Sequence, residues 1–203
     1  MIFFSPLSPA YWREAAGEFR KLRVLVFAAF IAALRIVTGA LYIPLGENLR
    51  MLFYFLPESI GGLVCGPLLG VGIGAIADLL GYFLFPSGPF FPGYTLSAML
   101  NFLLFALFFY RAKISVLRVF LARLTINLFI HVGLGSLWSS IMFGKAYLYY
   151  AAKSLIKNAI LLVPEVIVIV AVLRLLMPLL ARLGYIPAQQ NMSFGFKNKF
   201  VGR

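Results

Sequence analysis

MLFYFLPESIGGLVCGPLLGVGIGAIADLLGYFLF, residues 51–85, is the stretch of sequence from which the architecture follows. It contains only two charged side chains, Glu58 and Asp78, and one adjacent pair of helix breakers, Gly66-Pro67. Because proline cannot continue a helix and glycine favours its end, this pair predicts a boundary between two helices. We therefore expect a short membrane-spanning helix over about residues 51–64 and a glycine-rich one over about residues 68–85.

The rest of the chain has the same apolar character. Hydrophobic residues make up 63% of the 203 residues, charged residues only 12%, and the mean hydropathy is +0.98. A soluble domain is about half apolar and about a quarter charged, so much of this surface must face lipid. Further apolar runs cover about residues 24–43, 94–110, 119–143 and 154–180.

At roughly 20 residues per span, the sequence predicts an all-α integral membrane protein, a bundle of six transmembrane helices over residues 24–181. An N-terminal tail with a short amphipathic helix is expected over residues 1–23. A basic C-terminal tail is expected over residues 182–203.

The distribution of basic residues predicts the orientation of the bundle, since lysines and arginines of short loops collect on the cytoplasmic side. With six spans, one side carries eleven of them and the other carries Arg50, Lys145 and Lys153. The eleven are Arg13, Arg20, Lys21, Arg23, Arg111, Lys113, Arg118, Arg182, Lys197, Lys199 and Arg203. Both termini are therefore predicted to be cytoplasmic. Nucleic-acid binding is excluded, because the net charge of +12 is strung out at helix ends instead of lying on one solvated face.

The sequence offers no set of residues suited to catalysis or to a resident metal. Cys65 is the single cysteine and His131 the single histidine, so a disulfide or a cysteine–histidine metal site cannot form within the chain. No phosphate-binding glycine loop, kinase motif or nucleophile motif is present. We predict a protein that is not an enzyme and needs no cofactor or metal.

Ionisable side chains within the predicted spans are costly unless they are paired or face a cavity. Arg35 and Asp78 each allow two interpretations. One is contact with a bound ligand inside the bundle, and the other is an ion pair, for Arg35 with Asp78 or Glu58. Arg123 lies near the cytoplasmic end of its helix and is predicted to extend its charge to the interface.

Aromatic and polar groups are concentrated in two places. The proline-rich loop of residues 86–93 presents Phe90 and Phe91, followed by Tyr94, where these rings can stack on a flat ligand. Anchoring at the lipid interface is the alternative. The fifth predicted helix is unusually polar for a span. Its polar residues are Asn127, His131, Ser136 and Trp138.

Small residues on the first predicted helix indicate close packing against another helix. They are Ala28, Ala29, Ala32 and Ala33. Small residues four apart lie on one face and let two backbones approach. The partner is either a neighbour within this bundle or a second protein.

Four groups of short stretches are distinctive. They are residues 33–39 (ALRIVTG); residues 48–50 (NLR), 55–57 (FLP) and 66–70 (GPLLG); residues 78–81 (DLLG) with 85–97 (FPSGPFFPGYTLS); and residues 137–138 (LW), 144–146 (GKA), 155–159 (LIKNA) and 164–165 (PE). Together they resemble the substrate-binding (S) components of energy-coupling factor (ECF) vitamin transporters, most closely the folate-specific type. The third group is the most specific.

The resemblance implies six helices that bind folate with high affinity from outside, in a pocket closed by the first, third and fifth loops. It implies a transmembrane coupling subunit and two cytoplasmic ATPase subunits as partners, in the plasma membrane of a prokaryote. ATP hydrolysis would belong to those partners. The substrate-binding residues would be Arg35, Arg50, Asp78, Phe90, Tyr94, Thr95, Trp138 and Lys157. The residues docking to the coupling subunit would be Ala28, Ala29, Ala32 and Ala33.

Four residues depart from the pattern of the folate-specific type. Glu58 follows Pro57 where a small or apolar residue is usual. His131 and Gly135-Ser136 stand where asparagine and an Asn-Thr pair are usual. The first alternative is therefore an S component for another vitamin or pterin-like compound. The second alternative is a membrane enzyme or scaffold.

Overall fold

The computed structural model describes residues 6, 8–46, 49–86, 89–187 and 190. Their helices are α1 (Pro9–Gly17), α2 (Leu22–Ala40), α3 (Phe55–Leu84), α4 (Pro92–Phe109), α5 (Val116–Ile126), α6 (Gly135–Phe143) and α7 (Tyr147–Arg182). A π-helical stretch, Asn127–Leu134, joins α5 directly to α6. Strands β1 (Tyr42–Gly46) and β2 (Leu49–Leu52) form an antiparallel hairpin between α2 and α3.

Among the described residues, five helical stretches are long and apolar enough to cross a membrane, one of them formed by α5, the π-helical stretch and α6 together. The stretch α3 contains two spans, because the chain reverses direction at Gly66, where φ is 74° and ψ is −178°. Tyr54, just before α3, and Asp78, near its end, line one cavity. A straight helix would separate them by about 36 Å. The predicted all-α membrane bundle of six helices is confirmed, with a short hairpin added.

Glycines allow the two arms of α3 to pack closely on α4. A Cβ atom at Gly62 would lie 2.8 Å from the backbone nitrogen of Ala106, and one at Gly74 would lie 2.7 Å from the carbonyl oxygen of Ala98. Side chains at these positions would hold the helices apart. The glycine-rich composition of α3 therefore has a packing reason, as expected for helices associated within a membrane.

Large apolar side chains cover the outside of the bundle. Leu22, Phe83, Leu148 and Leu175 are each at least 75% exposed. A water-soluble protein rarely displays so many large apolar groups together. This surface is suited to contact with lipid tails, which agrees with the membrane class indicated by the composition.

One end of the bundle is held together around the carboxylate of Glu18, which is 2% exposed. It accepts hydrogen bonds from Lys21 Nζ (3.0 Å), the Tyr110 hydroxyl (2.9 Å) and an Arg111 guanidinium nitrogen (3.2 Å). Burial raises the pKa of the Tyr110 hydroxyl above its ordinary value, so this group stays protonated and donates. These contacts fasten α1 beneath the α4–α5 turn.

The C-terminal end of α7 lies at the same end. Arg23 donates to the carbonyl oxygen of Leu183, and its guanidinium carbon lies 4.5 Å from the centre of the Tyr185 ring. The basic segments before α2, after α4 and after α7 therefore share one end of the bundle, as far as the described residues extend. The basic residues 197, 199 and 203 lie outside them.

Three element boundaries differ from those expected from hydropathy. Residues 42–43 and 51–52 were expected in helices but belong to the β1–β2 hairpin, because Pro44 lacks the amide proton that a helix interior requires. The last helix begins at Tyr147 instead of about residue 154. Gly144, with φ of 73°, ends α6, and the chain then turns directly into α7. The first turns of α7 are amphipathic, which a hydropathy average overlooks.

Candidate functional site

Two adjoining cavities lie between the helices. The smaller has a volume of about 400 Å³ and the larger about 1000 Å³. Leu52, Tyr54 and Tyr94 line both and form the wall between them. Both volumes are in the range of cavities that hold small organic ligands.

The smaller cavity lies between the span Val116–Phe143 and α7. The span Val116–Phe143 contributes Arg123, His131, Gly135, Ser136 and Ser139. Helix α7 contributes Tyr150, Lys153, Ser154, Lys157, Asn158, Leu161 and Glu165. The spacing of three and four residues along α7 places its contributions on one helix face. Three basic side chains and one carboxylate line this cavity, which gives it an excess of positive charge.

A buried ion pair forms the floor of the smaller cavity. Arg123 Nε donates to Glu165 Oε2 at 2.7 Å, and both side chains are almost fully buried. The prediction that Arg123 extends to the membrane interface is therefore wrong. The nearby carboxylate neutralises its charge inside the bundle, which removes the need to reach water.

Several polar atoms of the smaller cavity remain without a hydrogen-bond partner among the described residues. They are His131 Nε2, Ser136 Oγ and one terminal guanidinium nitrogen of Arg123. Other hydroxyl groups of the same wall are satisfied: Ser139 donates to the Gly135 carbonyl at 2.8 Å, and Ser154 donates to the His131 carbonyl at 2.9 Å.

The larger cavity is aromatic and carries balanced charges. Arg35 and Asp78 line it together with Tyr82, Phe85, Phe90, Phe91 and Tyr94. Arg35 Nε donates to Glu58 Oε1 at 3.0 Å, and the Glu58 side chain is fully buried. Asp78 accepts a hydrogen bond from the Thr95 hydroxyl at 2.8 Å. Of the two pairings considered for Arg35, the structure shows the one with Glu58, which accounts for the acidic residue after Pro57.

The structure describes the side chains of seven of the eight predicted substrate-binding residues. Arg35, Asp78, Phe90 and Tyr94 line the larger cavity, and Lys157 and Tyr94 line the smaller one. Thr95 and Trp138 line neither and act as supports. Trp138 Nε1 donates to Ser97 Oγ at 3.0 Å, and its ring lies 5.5 Å from the ring of Phe91, beneath the loop before α4. The side chain of Arg50 lies outside the described residues.

Sequence reasoning missed several residues that line the cavities. They are Tyr54, Ser139, Tyr150, Ser154 and Asn158. A polar stripe with helical spacing over residues 150–158 is visible in the sequence, and extending the last helix back to Tyr147 would have revealed it. Tyr54 carries no such signal, since only the reversal at Gly66 brings its arm of α3 beside the cavity.

The alanines of α2 divide between two surfaces. Ala28 is 6% exposed and packs inside the bundle, and Ala32 is half-buried against the same core. Ala29 and Ala33 are exposed on the outer face of α2. Packing within the bundle therefore accounts for Ala28 and Ala32, and Ala29 with Ala33 form an outward face of small residues.

Comparison with known proteins identifies relatives over most of the chain. The folate transporter FolT of Clostridium novyi (strain NT) is 36% identical over 150 residues, which cover 74% of this chain and 87% of the relative. The folate transporter FolT of Leuconostoc mesenteroides subsp. mesenteroides is 33% identical over 146 residues, covering 68% and 78%. No protein-family model matches the sequence.

The fold has a counterpart among solved structures. A crystal structure of FolT bound with folic acid superposes with a TM-score of 0.68 at 29% sequence identity, covering 75% of this chain and 93% of that one. The likeness covers nearly all of the other protein, so the whole bundle is shared.

Proposed function

The chain belongs to the FolT family of folate transporters, and we propose that it is the folate-binding S component of an ECF transporter. In this role it captures the vitamin outside the cell and releases it inward through an ATP-driven complex. Its own chemistry is limited to binding, and ATP hydrolysis belongs to partner subunits.

The observation that carries this proposal is that aromatic and basic groups meet at the wall shared by the adjoining cavities. Folate combines a flat pterin, an aromatic linker and an anionic glutamate tail. Tyr54 and Tyr94, in the shared wall, offer ring faces for stacking, and Phe90 adds a third beside them. Lys153 and Lys157 of the smaller cavity offer positive charge for the carboxylates.

The remaining predicted site residues take supporting roles in this proposal. The Thr95 hydroxyl orients the Asp78 carboxylate, and the Arg35–Glu58 ion pair fixes the wall formed by α2 and α3. Trp138 holds the loop before α4 in place through Ser97 and Phe91. The binding role of Arg50 stays a prediction, since its side chain lies outside the described residues.

The partners and orientation complete the proposal. We place the end of the bundle that contains Glu18, Arg111 and Leu183 in the cytoplasm of a prokaryotic cell, because basic segments collect there. The β1–β2 hairpin, the loop before α4 and the α6–α7 turn then face outward over the cavities. A transmembrane coupling subunit docks against Ala29 and Ala33, with two ATPase subunits attached to it.

Lys157→Ala tests the ligand. A charged hydrogen bond contributes roughly 1.5–3 kcal/mol, so the substitution should weaken folate about ten- to hundredfold. It should hardly affect a pterin that lacks the glutamate tail. Tyr94→Ala should weaken both ligands alike, since Tyr94 lines both cavities and stacking does not depend on the tail. Isothermal titration calorimetry of the detergent-solubilised protein measures all combinations.

Lys145→Ala is the matched control. Lys145 lies 4.8 Å from the ring centre of Tyr149 and lines neither cavity, so this variant should bind folate normally. Failure of the unmodified protein to bind folate would contradict the proposal. A different compound copurifying with the protein, identified by its ultraviolet spectrum, would favour an S component for another vitamin.

A further inference from the structure

Three buried polar atoms of the smaller cavity have unused capacity for hydrogen bonding. These atoms are His131 Nε2, Ser136 Oγ and one terminal nitrogen of Arg123, and none of them has a hydrogen-bond partner within the described part of the chain. All three residues line the same cavity. Because a buried polar group without a partner costs free energy, native proteins leave few of them. A cluster of three on one cavity is therefore suited to a ligand with matching donors and acceptors.

The π-helical stretch explains why two of these groups share a wall. His131 and Ser136 are five residues apart, and in an α-helix of 3.6 residues per turn that spacing turns the second side chain well away from the first. The amide of Gly135 donates instead to the carbonyl of Ile130, an i→i+5 bond that belongs to a π turn. The wider turn brings residues five apart nearly into line, so both side chains face the cavity.

The chemistry of these atoms differs from that of the lysines across the cavity. The charge of Arg123 is already balanced by Glu165 at 2.7 Å. Its free nitrogen therefore donates a directed hydrogen bond and adds little net attraction for anions. The Ser136 hydroxyl can donate or accept, and so can the nitrogen of a neutral imidazole. The set offers both donors and acceptors, which is what the edge of a nitrogen heterocycle requires.

Resting on the proposed function, we infer that His131, Ser136 and the free guanidinium nitrogen of Arg123 hold the hydrogen-bonding edge of the ligand's fused ring. Arg123 donates to the ring carbonyl, and His131 with Ser136 match the ring nitrogens. These two residues determine which heterocycle is accepted. The glutamate tail then extends along α7 toward Lys157 and Lys153.

Ser136→Ala and His131→Phe test this assignment, since each removes polar atoms and keeps most of the volume. The probes are folic acid, 6-methylpterin, which has the ring only, and p-aminobenzoylglutamate, which has the tail only. Displacement of radiolabelled folate from the solubilised protein gives the three affinities. Each variant should lose about five- to tenfold for folic acid and for 6-methylpterin, and less than twofold for p-aminobenzoylglutamate.

Ser140→Ala is the matched control, because its hydroxyl lies on the same helix, lines neither cavity and is bonded to the Lys145 carbonyl at 2.8 Å. It should leave all three affinities unchanged. The thermal midpoint of the ligand-free protein gives a second measurement. Ser136→Ala should leave it unchanged or raise it, since the hydroxyl has no partner to lose.

Three results would overturn the assignment while leaving folate binding intact. They are a loss for Ser136→Ala no larger than for Ser140→Ala, an equal loss for the tail-only probe, and a clear fall in the ligand-free midpoint of Ser136→Ala. Absence of folate binding by the unmodified protein would instead overturn the proposed function, and this assignment with it.

Discussion

At the scale of single residues, Gly66 has the largest effect on the architecture. Its φ of 74° with ψ of −178° lies in a region that is essentially restricted to glycine. The following Pro67 suits the first turn of a new helix, because its missing amide proton would have no partner there. Two residues thus turn one apolar run into two spans, and the Tyr110 ring closes over the turn.

Gly66→Ala should therefore destabilise the protein by roughly 1–3 kcal/mol, because alanine is strained in this conformation. Its Cβ would also lie 3.1 Å from the Tyr110 ring. Thermal unfolding in detergent, followed by tryptophan fluorescence, measures the change. Gly72→Ala is the control, since no atom lies within 4 Å of a Cβ at that helical position. It should be neutral or stabilising by up to about 1 kcal/mol. Equal midpoints for the two variants would show that the turn does not depend on glycine.

Single residues also show how much of the site could be predicted. Arg35 and Asp78 stand out because charge is rare within a span, and both line the larger cavity. Tyr54 and Asn158 do not stand out, because tyrosine and asparagine have many uses in a membrane helix. Their place beside the smaller cavity depends on how the helices pack.

At the scale of elements, helix α2 presents different residues to its two sides. Ala28 faces the core, while Ala29 and Ala33 occupy the outer face between larger apolar side chains such as Phe30 and Val37. Small residues at this face would let a helix of another protein pack closely.

Ala29→Trp combined with Ala33→Trp should abolish folate uptake by the complete transporter and leave folate binding by the isolated chain near normal. The bulky rings would prevent close approach of the coupling subunit without entering the core. Uptake into cells and binding to the purified chain are the two measurements. Leu175→Trp combined with Leu179→Trp is the control, with the same spacing on the exposed face of α7. Loss of binding in parallel with uptake would indicate packing within the bundle instead.

At the scale of the whole molecule, the bundle consists of membrane helices with short connections over nearly all of the described residues. The sequence contains no nucleotide-binding motif. In the proposed role, the energy for uphill transport would be supplied by the partner ATPase subunits.

Liposomes that contain this chain alone should bind folate and not concentrate it, even with an imposed proton or sodium gradient. Addition of the coupling subunit, both ATPases and ATP should then produce accumulation. Radiolabelled folate retained after filtration, compared with protein-free liposomes, provides the measurement. Uphill accumulation by the chain alone would contradict its role as a binding component.

The sequence by itself determined the membrane class, the helix break at Gly66-Pro67 and the aromatic loop before α4. These follow from local properties: apolar length, backbone freedom and side-chain chemistry. Only the tertiary structure decided that Glu58 neutralises Arg35, that Glu165 neutralises Arg123, and that two cavities share Tyr54 and Tyr94. These depend on contacts between residues far apart in the chain, which a linear pattern does not specify. The π turn beside His131 is of the same kind, because helix pitch responds to the packing of neighbouring helices.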